Sequence, residues 1–111
     1  MIVGTPGNDA IAAGPGNDLI FGLGGDDRIN GGSGNDCVVG GDGNDTLQGA
    51  GGEDVILGGS GNDKIAGGGG ADTIFGEAGN DQINGGGAAD ECQGGPGDDL
   101  VTNCQRSIHR P

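Results

Sequence analysis

Gly31-Gly32-Ser33-Gly34-Asn35-Asp36-Cys37-Val38-Val39 runs without a break into Gly40-Gly41-Asp42-Gly43-Asn44-Asp45-Thr46-Leu47-Gln48. Both stretches carry glycine at positions one, two and four, aspartate at six and an apolar residue at eight. Extending that frame in both directions divides residues 4–102 into eleven consecutive nonapeptides with no insertion or deletion. All 31 glycines of the chain fall in the first four positions of the unit. Position six is aspartate every time: Asp9, Asp18, Asp27, Asp36, Asp45, Asp54, Asp63, Asp72, Asp81, Asp90 and Asp99. Position eight is apolar every time: Ile11, Ile20, Ile29, Val38, Leu47, Ile56, Ile65, Ile74, Ile83, Cys92 and Val101. Self-similarity at a fixed short period is the mark of a repeat architecture and takes precedence over local propensities.

Each unit reads as two halves. The first six residues form a turn, in which glycine permits positive φ and lets backbones approach closely. Pro6, Pro15 and Pro96 all stand at position three, inside the turn, where a missing N–H does no harm. The last three residues form a short strand whose middle side chain points to one face and whose neighbours point to the other. Most of the inward residues are β-branched, which suits strands. Turn, strand, turn and strand then make one coil of two units, with odd units on one side and even units on the other. Stacked coils give an all-β fold, a right-handed parallel β-roll (a β-solenoid) of two parallel sheets facing each other across a column of Ile and Val. Residues 1–3 are expected to be a lead-in, 4–102 the roll, and 103–111 a tail that caps its C-terminal end.

The chain resembles the calcium-binding RTX, or haemolysin-type, nonapeptide array, whose unit is G-G-x-G-x-D-x-U-x. The resemblance spans all eleven units. It implies calcium between the turns, secretion, and folding that depends on the metal.

Physical chemistry leads the same way. One inward side chain in nine is a thin core. Stacking also places aspartates eighteen residues apart above one another, so two columns of carboxylates repel. Calcium takes roughly 6–8 oxygen ligands at about 2.3–2.6 Å and removes that conflict. One column is expected to hold sites bridged by Asp9/Asp27, Asp27/Asp45, Asp45/Asp63, Asp63/Asp81 and Asp81/Asp99. The other is expected to hold Asp18/Asp36, Asp36/Asp54, Asp54/Asp72 and Asp72/Asp90, about nine Ca2+ in all. Backbone carbonyls of Gly25, Gly34, Gly43, Gly52, Gly61, Gly70 and Gly79 are candidate further ligands. Mg2+, which prefers a tighter octahedron and keeps its waters, should substitute poorly. The competing reading is a row of turn aspartates that cap backbone N–H groups. Some units depart from the pattern: Ala13 stands at position one, Thr5, Leu23, Ala50 and Glu77 at position two, and Ala88 at position four. The Asp72/Asp90 site, next to Ala88, is expected to be the least regular.

Composition excludes several functions. Seventeen acidic residues against four basic ones give a net charge of −13, which repels nucleic acid phosphates and anionic membranes. No apolar run is long enough to span a bilayer. Met1 leads directly into repeat-like sequence, as expected if a leader has been removed or the chain is an excised piece. No catalytic set can be assembled: the single histidine, His109, lies in the basic tail, and there is neither a His/Cys metal motif nor a phosphate loop. The chain is therefore expected not to be an enzyme.

The two outer faces differ. Odd units present mainly polar residues at positions seven and nine, whereas even units present Leu19, Phe21, Cys37, Val39, Val55, Leu57 and Phe75. An exposed apolar surface of this kind marks an interface, with a second copy or a partner protein as the expected occupant. Cys92 takes an inward position, and Cys104 follows the last unit. A bridge between them would staple the final coil and contribute about 3 kcal/mol. It would also resemble the C-terminal cysteine pairs of secreted calcium-repeat proteins. The alternative is a buried thiol and a free terminal one. Cys37 is either a sheltered thiol or a link across a symmetric dimer. The expected function is a calcium-ion-binding module with a structural or interaction role in a secreted, extracellular protein. The alternatives are an adhesion or self-assembly module, or an accessory domain of a larger secreted enzyme or toxin.

Overall fold

Glycine-rich turns alternate with three-residue strands along the whole repeat, as the two-part unit requires. The computed structural model describes residues 1–88, 90–104 and, as backbone, 106–108; His109 lies outside them. Its strands are β1 (Ile2–Val3), β2 (Ala10–Ala12), β3 (Leu19–Phe21), β4 (Arg28–Asn30), β5 (Cys37–Val39), β6 (Thr46–Gln48) and β7 (Val55–Leu57), followed by β8 (Lys64–Ala66), β9 (Thr73–Phe75), β10 (Gln82–Asn84), β11 (Glu91–Gln93), β12 (Leu100–Thr102) and β13 (Arg106–Ile108). Among the described residues there is no helix. The strands form two sheets: β1-β3-β5-β7-β9-β11-β13, built from the even units, and β2-β4-β6-β8-β10-β12, built from the odd units. Every pairing is parallel, and within the repeat each residue faces its counterpart one coil away, as Ile29 faces Leu47 and Ile56 faces Ile74. The result is a β-solenoid of about six turns.

Register follows from the position-eight column. A slip of one residue would turn each buried side chain outward. Ile20, Ile29, Val38, Leu47, Ile56, Ile65, Ile74, Ile83 and Cys92 are all buried, in a single file between the sheets. Ile11 and Val101, in the end coils, are only partly covered. The molecule is a slab of 30 × 26 × 14 Å, with the outer faces of the two sheets as its broad sides. On the even-unit side Phe21, Val39, Leu57 and Phe75 stand in register, each half-buried.

Both ends depart from a plain reading of the repeat. Ile2 pairs with Ile20 and Val3 with Phe21, so the first residues complete a further strand instead of merely leading in. At the other end β13 adds to β11, with Cys92 opposite Ser107, earlier than the eighteen-residue period would place it.

The turns depend on left-handed backbone at positions two and four. At position four the fit between coils is also close: a Cβ on Gly61 would overlap the Gly43 carbonyl oxygen one coil away. Four non-glycine residues hold the same conformation, Leu23, Ala50 and Glu77 at position two (φ 72°, 68° and 68°) and Ala88 at position four (φ 69°). L-residues pay roughly 1–2 kcal/mol for this region.

Candidate metal centre

Because each strand begins immediately after position six, the ladder that pairs the strands also stacks the aspartates. The backbone N–H of each donates to the Oδ1 of the aspartate eighteen residues later: Asp9 to Asp27, Asp27 to Asp45, Asp45 to Asp63, Asp63 to Asp81 and Asp81 to Asp99, at 2.7–2.8 Å. The second column runs from Asp18 to Asp36, Asp54, Asp72 and Asp90 at 2.7–2.9 Å. These are the nine pairs that the repeat frame puts together. The Asp72/Asp90 contact, at 2.7 Å, is as short as any, so the departure at Ala88 leaves it intact. Capping of backbone N–H groups does occur, but apart from Asp9 in the first unit it crosses between coils and uses one oxygen of a carboxylate.

The other oxygen is left over. Oδ2 of every column aspartate from Asp18 to Asp99 is buried without a hydrogen-bond partner. A buried polar atom left unpaired costs about 1–3 kcal/mol, and more when it carries charge. The carboxyls respond as burial dictates: desolvation pushes Asp54 and Asp81 up to about 6, Asp45 and Asp72 to about 7 and Asp63 to about 8. The N–H bond from the preceding coil opposes this rise, and neighbouring carboxylates add to it.

Position-one glycine makes room for these oxygens. A Cβ on Gly22 would lie 2.6 Å from Asp27 Oδ2 and 2.7 Å from the Gly40 carbonyl oxygen. At Gly40 the corresponding atoms are Asp45 Oδ2 and the Gly58 carbonyl, both at 2.7 Å, and at Gly67 they are Asp72 Oδ2 and the Gly85 carbonyl, at 2.5 and 2.7 Å. In these units carboxylate and carbonyl oxygens thus crowd one small space, which glycine leaves open. Among the described residues no three His, Cys, Asp or Glu side chains converge on a point. A cation held here must therefore draw on backbone oxygen, and an all-oxygen donor set suits a hard ion such as Ca2+. The carbonyls beside the free Oδ2 atoms are those of position one. The position-four carbonyls of Gly25, Gly34, Gly43, Gly52 and Gly61 instead lie against the position-four residue of the next coil.

Two further groups of residues shape the columns. Position five forms a second ladder: Asn8 Oδ1 accepts from Asp26 N–H, Asp26 from Asn44, Asn44 from Asn62, Asn62 from Asn80 and Asn80 from Asp98, at 2.7–2.9 Å. In the even units it runs only from Asn17 through Asn35 to Glu53. The recurrence of asparagine there was a legible signal that an aspartate-centred reading passes over. Thr5 is the second case. Its N–H and hydroxyl donate to Asp9 Oδ2 and Oδ1 at 2.6 and 2.8 Å, closing the N-terminal end of the odd column. These bonds hold the Asp9 carboxyl below its ordinary value.

Stacked aspartates with a spare buried oxygen, several of them beside a glycine carbonyl, repeat along nearly the whole chain. A family model for the RTX calcium-binding nonapeptide repeat matches residues 3–36, 39–74 and 66–101. The chain belongs to this family. RTX repeats bind calcium in a β-roll, form a structural, non-catalytic module and typically occur in secreted proteins. No match was found among curated proteins or among solved structures. Cys92 and Cys104 are joined by a disulfide, and Cys37 is a free, half-buried thiol.

Proposed function

We propose that this chain is a non-enzymatic RTX module of a secreted protein that folds on binding about nine Ca2+, one between each stacked aspartate pair. The observation that carries the reading is the buried, unpartnered Oδ2 on each column aspartate from Asp18 to Asp99. Without a cation, each inner coil holds a carboxylate that must either stay charged in a dry site or take up a proton. With one, the same oxygens become ligands, so the binding free energy becomes folding free energy, as it does in other small metal-dependent folds. The aspartate Oδ2 atoms and the position-one carbonyls would hold the ions, and position-four carbonyls are further candidates. Extracellular calcium would then act as the folding signal.

The test is a calcium titration of chelator-treated protein that follows far-UV circular dichroism and bound metal together. A cooperative gain of β-structure with about nine ions bound, and little response to Mg2+, is expected. An unchanged spectrum at millimolar calcium would overturn the proposal.

A second reading concerns the even-unit face, where Phe21, Val39, Leu57 and Phe75 stand side by side. Leu19 and Val55 are exposed beside them. This surface would serve self-assembly through a second copy, or pack on the rest of a larger secreted protein. Light scattering at high concentration in calcium decides between the two, since a persistent monomer removes self-assembly.

A further inference from the structure

The two aspartate columns end differently at the C-terminus. Asp99 closes the odd column, and the three atoms nearest to a Cβ built on Gly94 all belong to Asp99. Asp90 closes the even column, and no aspartate stands eighteen residues further on, where the chain has Ile108. Asp90 is nevertheless only 1% exposed, and its Oδ2 is unpartnered like those of the inner coils. A Cβ on Gly85 would lie 2.8 Å from that Oδ2 and 2.5 Å from the carbonyl oxygen of Asn103. Asn103 stands where the first residue of a twelfth unit would fall, so its carbonyl supplies what a position-one glycine supplies elsewhere.

Asn103 is fixed in that place. Its backbone is left-handed (φ 54°), and its Nδ2 donates to Asn84 Oδ1 at 2.9 Å. On one side Thr102 Oγ1 donates to the Ile83 carbonyl at 3.2 Å. On the other, Cys104 is bonded to the buried Cys92 in β11, with Cα atoms 6.0 Å apart. Beyond the last full unit, this bond is the covalent tie that holds the Asn103 carbonyl over Asp90.

We propose that Asp90 Oδ2 and the Asn103 carbonyl form an additional calcium site at the C-terminal end of the even column, held together by the Cys92–Cys104 disulfide and therefore sensitive to thiol redox state. The inference rests on the calcium reading above. With one carboxylate and no aspartate above it, the site is weaker than the inner ones and fills last. A dithiol reductant donates two electrons and two protons: the S–S bond breaks, two thiols form and the reductant closes to its own disulfide. Residues 103 and 104 are then held over Asp90 only by the Asn103–Asn84 bond and by the pairing of β13 with β11, and the ion is released while the inner coils keep theirs.

The experiment counts Ca2+ on the full chain by native mass spectrometry, in a Cys37→Ser background that prevents disulfide exchange. The oxidised chain is expected to hold a single ion more than the dithiol-reduced chain, with circular dichroism nearly unchanged. Asn103→Gly, which keeps the carbonyl and the left-handed backbone, should retain the extra ion. Equal counts before and after reduction would overturn the inference and leave the calcium reading standing. So would the loss of several ions together with the β-signal, because the disulfide would then be holding the fold and not one site. A chain that binds no calcium in either state overturns both.

Discussion

The closeness of successive coils at position four can be tested with two alanines. Gly61 has φ +104°, and a Cβ there would overlap the Gly43 carbonyl oxygen, well inside the 3.0 Å that real Cβ atoms essentially never cross. The backbone strain alone is worth about 1–3 kcal/mol. Pushing the two coils apart disturbs packing by about another 1–3 kcal/mol, so Gly61→Ala should cost about 2–6 kcal/mol. Gly69 occupies position three of the following unit, where a Cβ meets nothing within 4 Å and φ lies outside the left-handed region. Gly69→Ala should therefore be neutral, or stabilising by about 0.4–1 kcal/mol, because it restricts the unfolded chain. Since about 1.4 kcal/mol is a tenfold change in an equilibrium constant, the variants should differ at least about twentyfold in folding equilibrium. Urea unfolding at fixed, saturating calcium, followed by circular dichroism, measures this directly. Equal midpoints for the two variants would refute the claim that carbonyl-to-Cα approach at position four sets the coil spacing.

Three further outcomes follow from the site and the turns. Desolvation raises the carboxyls of Asp45, Asp54, Asp63, Asp72 and Asp81 to about 6–8 in the fold, from 3.8. The metal-free roll should thus be most stable below about pH 4 and lose stability progressively as pH rises from there towards about 6 to 8. Protons compete with calcium for these oxygens only in a roll already folded without metal, so calcium added to the acid-folded roll should release protons, whereas the unfolded chain, ionised above about pH 4, takes up calcium without release; no proton release from the acid-folded roll would count against buried carboxylate ligands. Thr5→Ala removes the hydroxyl bond to Asp9 and keeps the backbone one; the Asp9 pKa should rise only part of the way towards its ordinary value, read by NMR titration, and the first coil should exchange amide protons faster. Ala88→Gly relieves a left-handed L-residue and should stabilise the calcium-loaded protein by about 1 kcal/mol, visible as a higher urea midpoint.

The fold was legible because two columns of the repeat, Asp at six and an apolar residue at eight, never break and fix strand, register and stacking together. The pairing of the aspartates was legible for the same reason. How each carboxylate divides its two oxygens was not, since one oxygen is committed to the backbone only once neighbouring coils are in contact. The position-five ladder was written in Asn8, Asn17, Asn35, Asn44, Asn62 and Asn80, yet Glu53 and Ala71 interrupt it and blur the column. The ends were hidden for a different reason. Thr5, Ile2 and Asn103 act as single residues at the boundaries of a repeat, where averaging over units carries no information. Ala88 shows the converse: the sequence marks it as an irregularity, and the structure absorbs it in one left-handed residue without lengthening the Asp72–Asp90 contact.

The alternation of units between the two sheets restricts how such an array can change in length. Each nonapeptide is half a turn, so inserting or deleting one sends every downstream strand to the opposite side of the slab. Phe75 would then join the polar surface and Lys64 the apolar one, while downstream aspartates would exchange columns. The inward column would survive the exchange unharmed, since position eight points inward in both sheets. Duplication or loss in steps of eighteen residues preserves everything at once, whereas steps of nine preserve the core and scramble the surface. For anyone lengthening or shortening the protein, the inheritable module is the full turn.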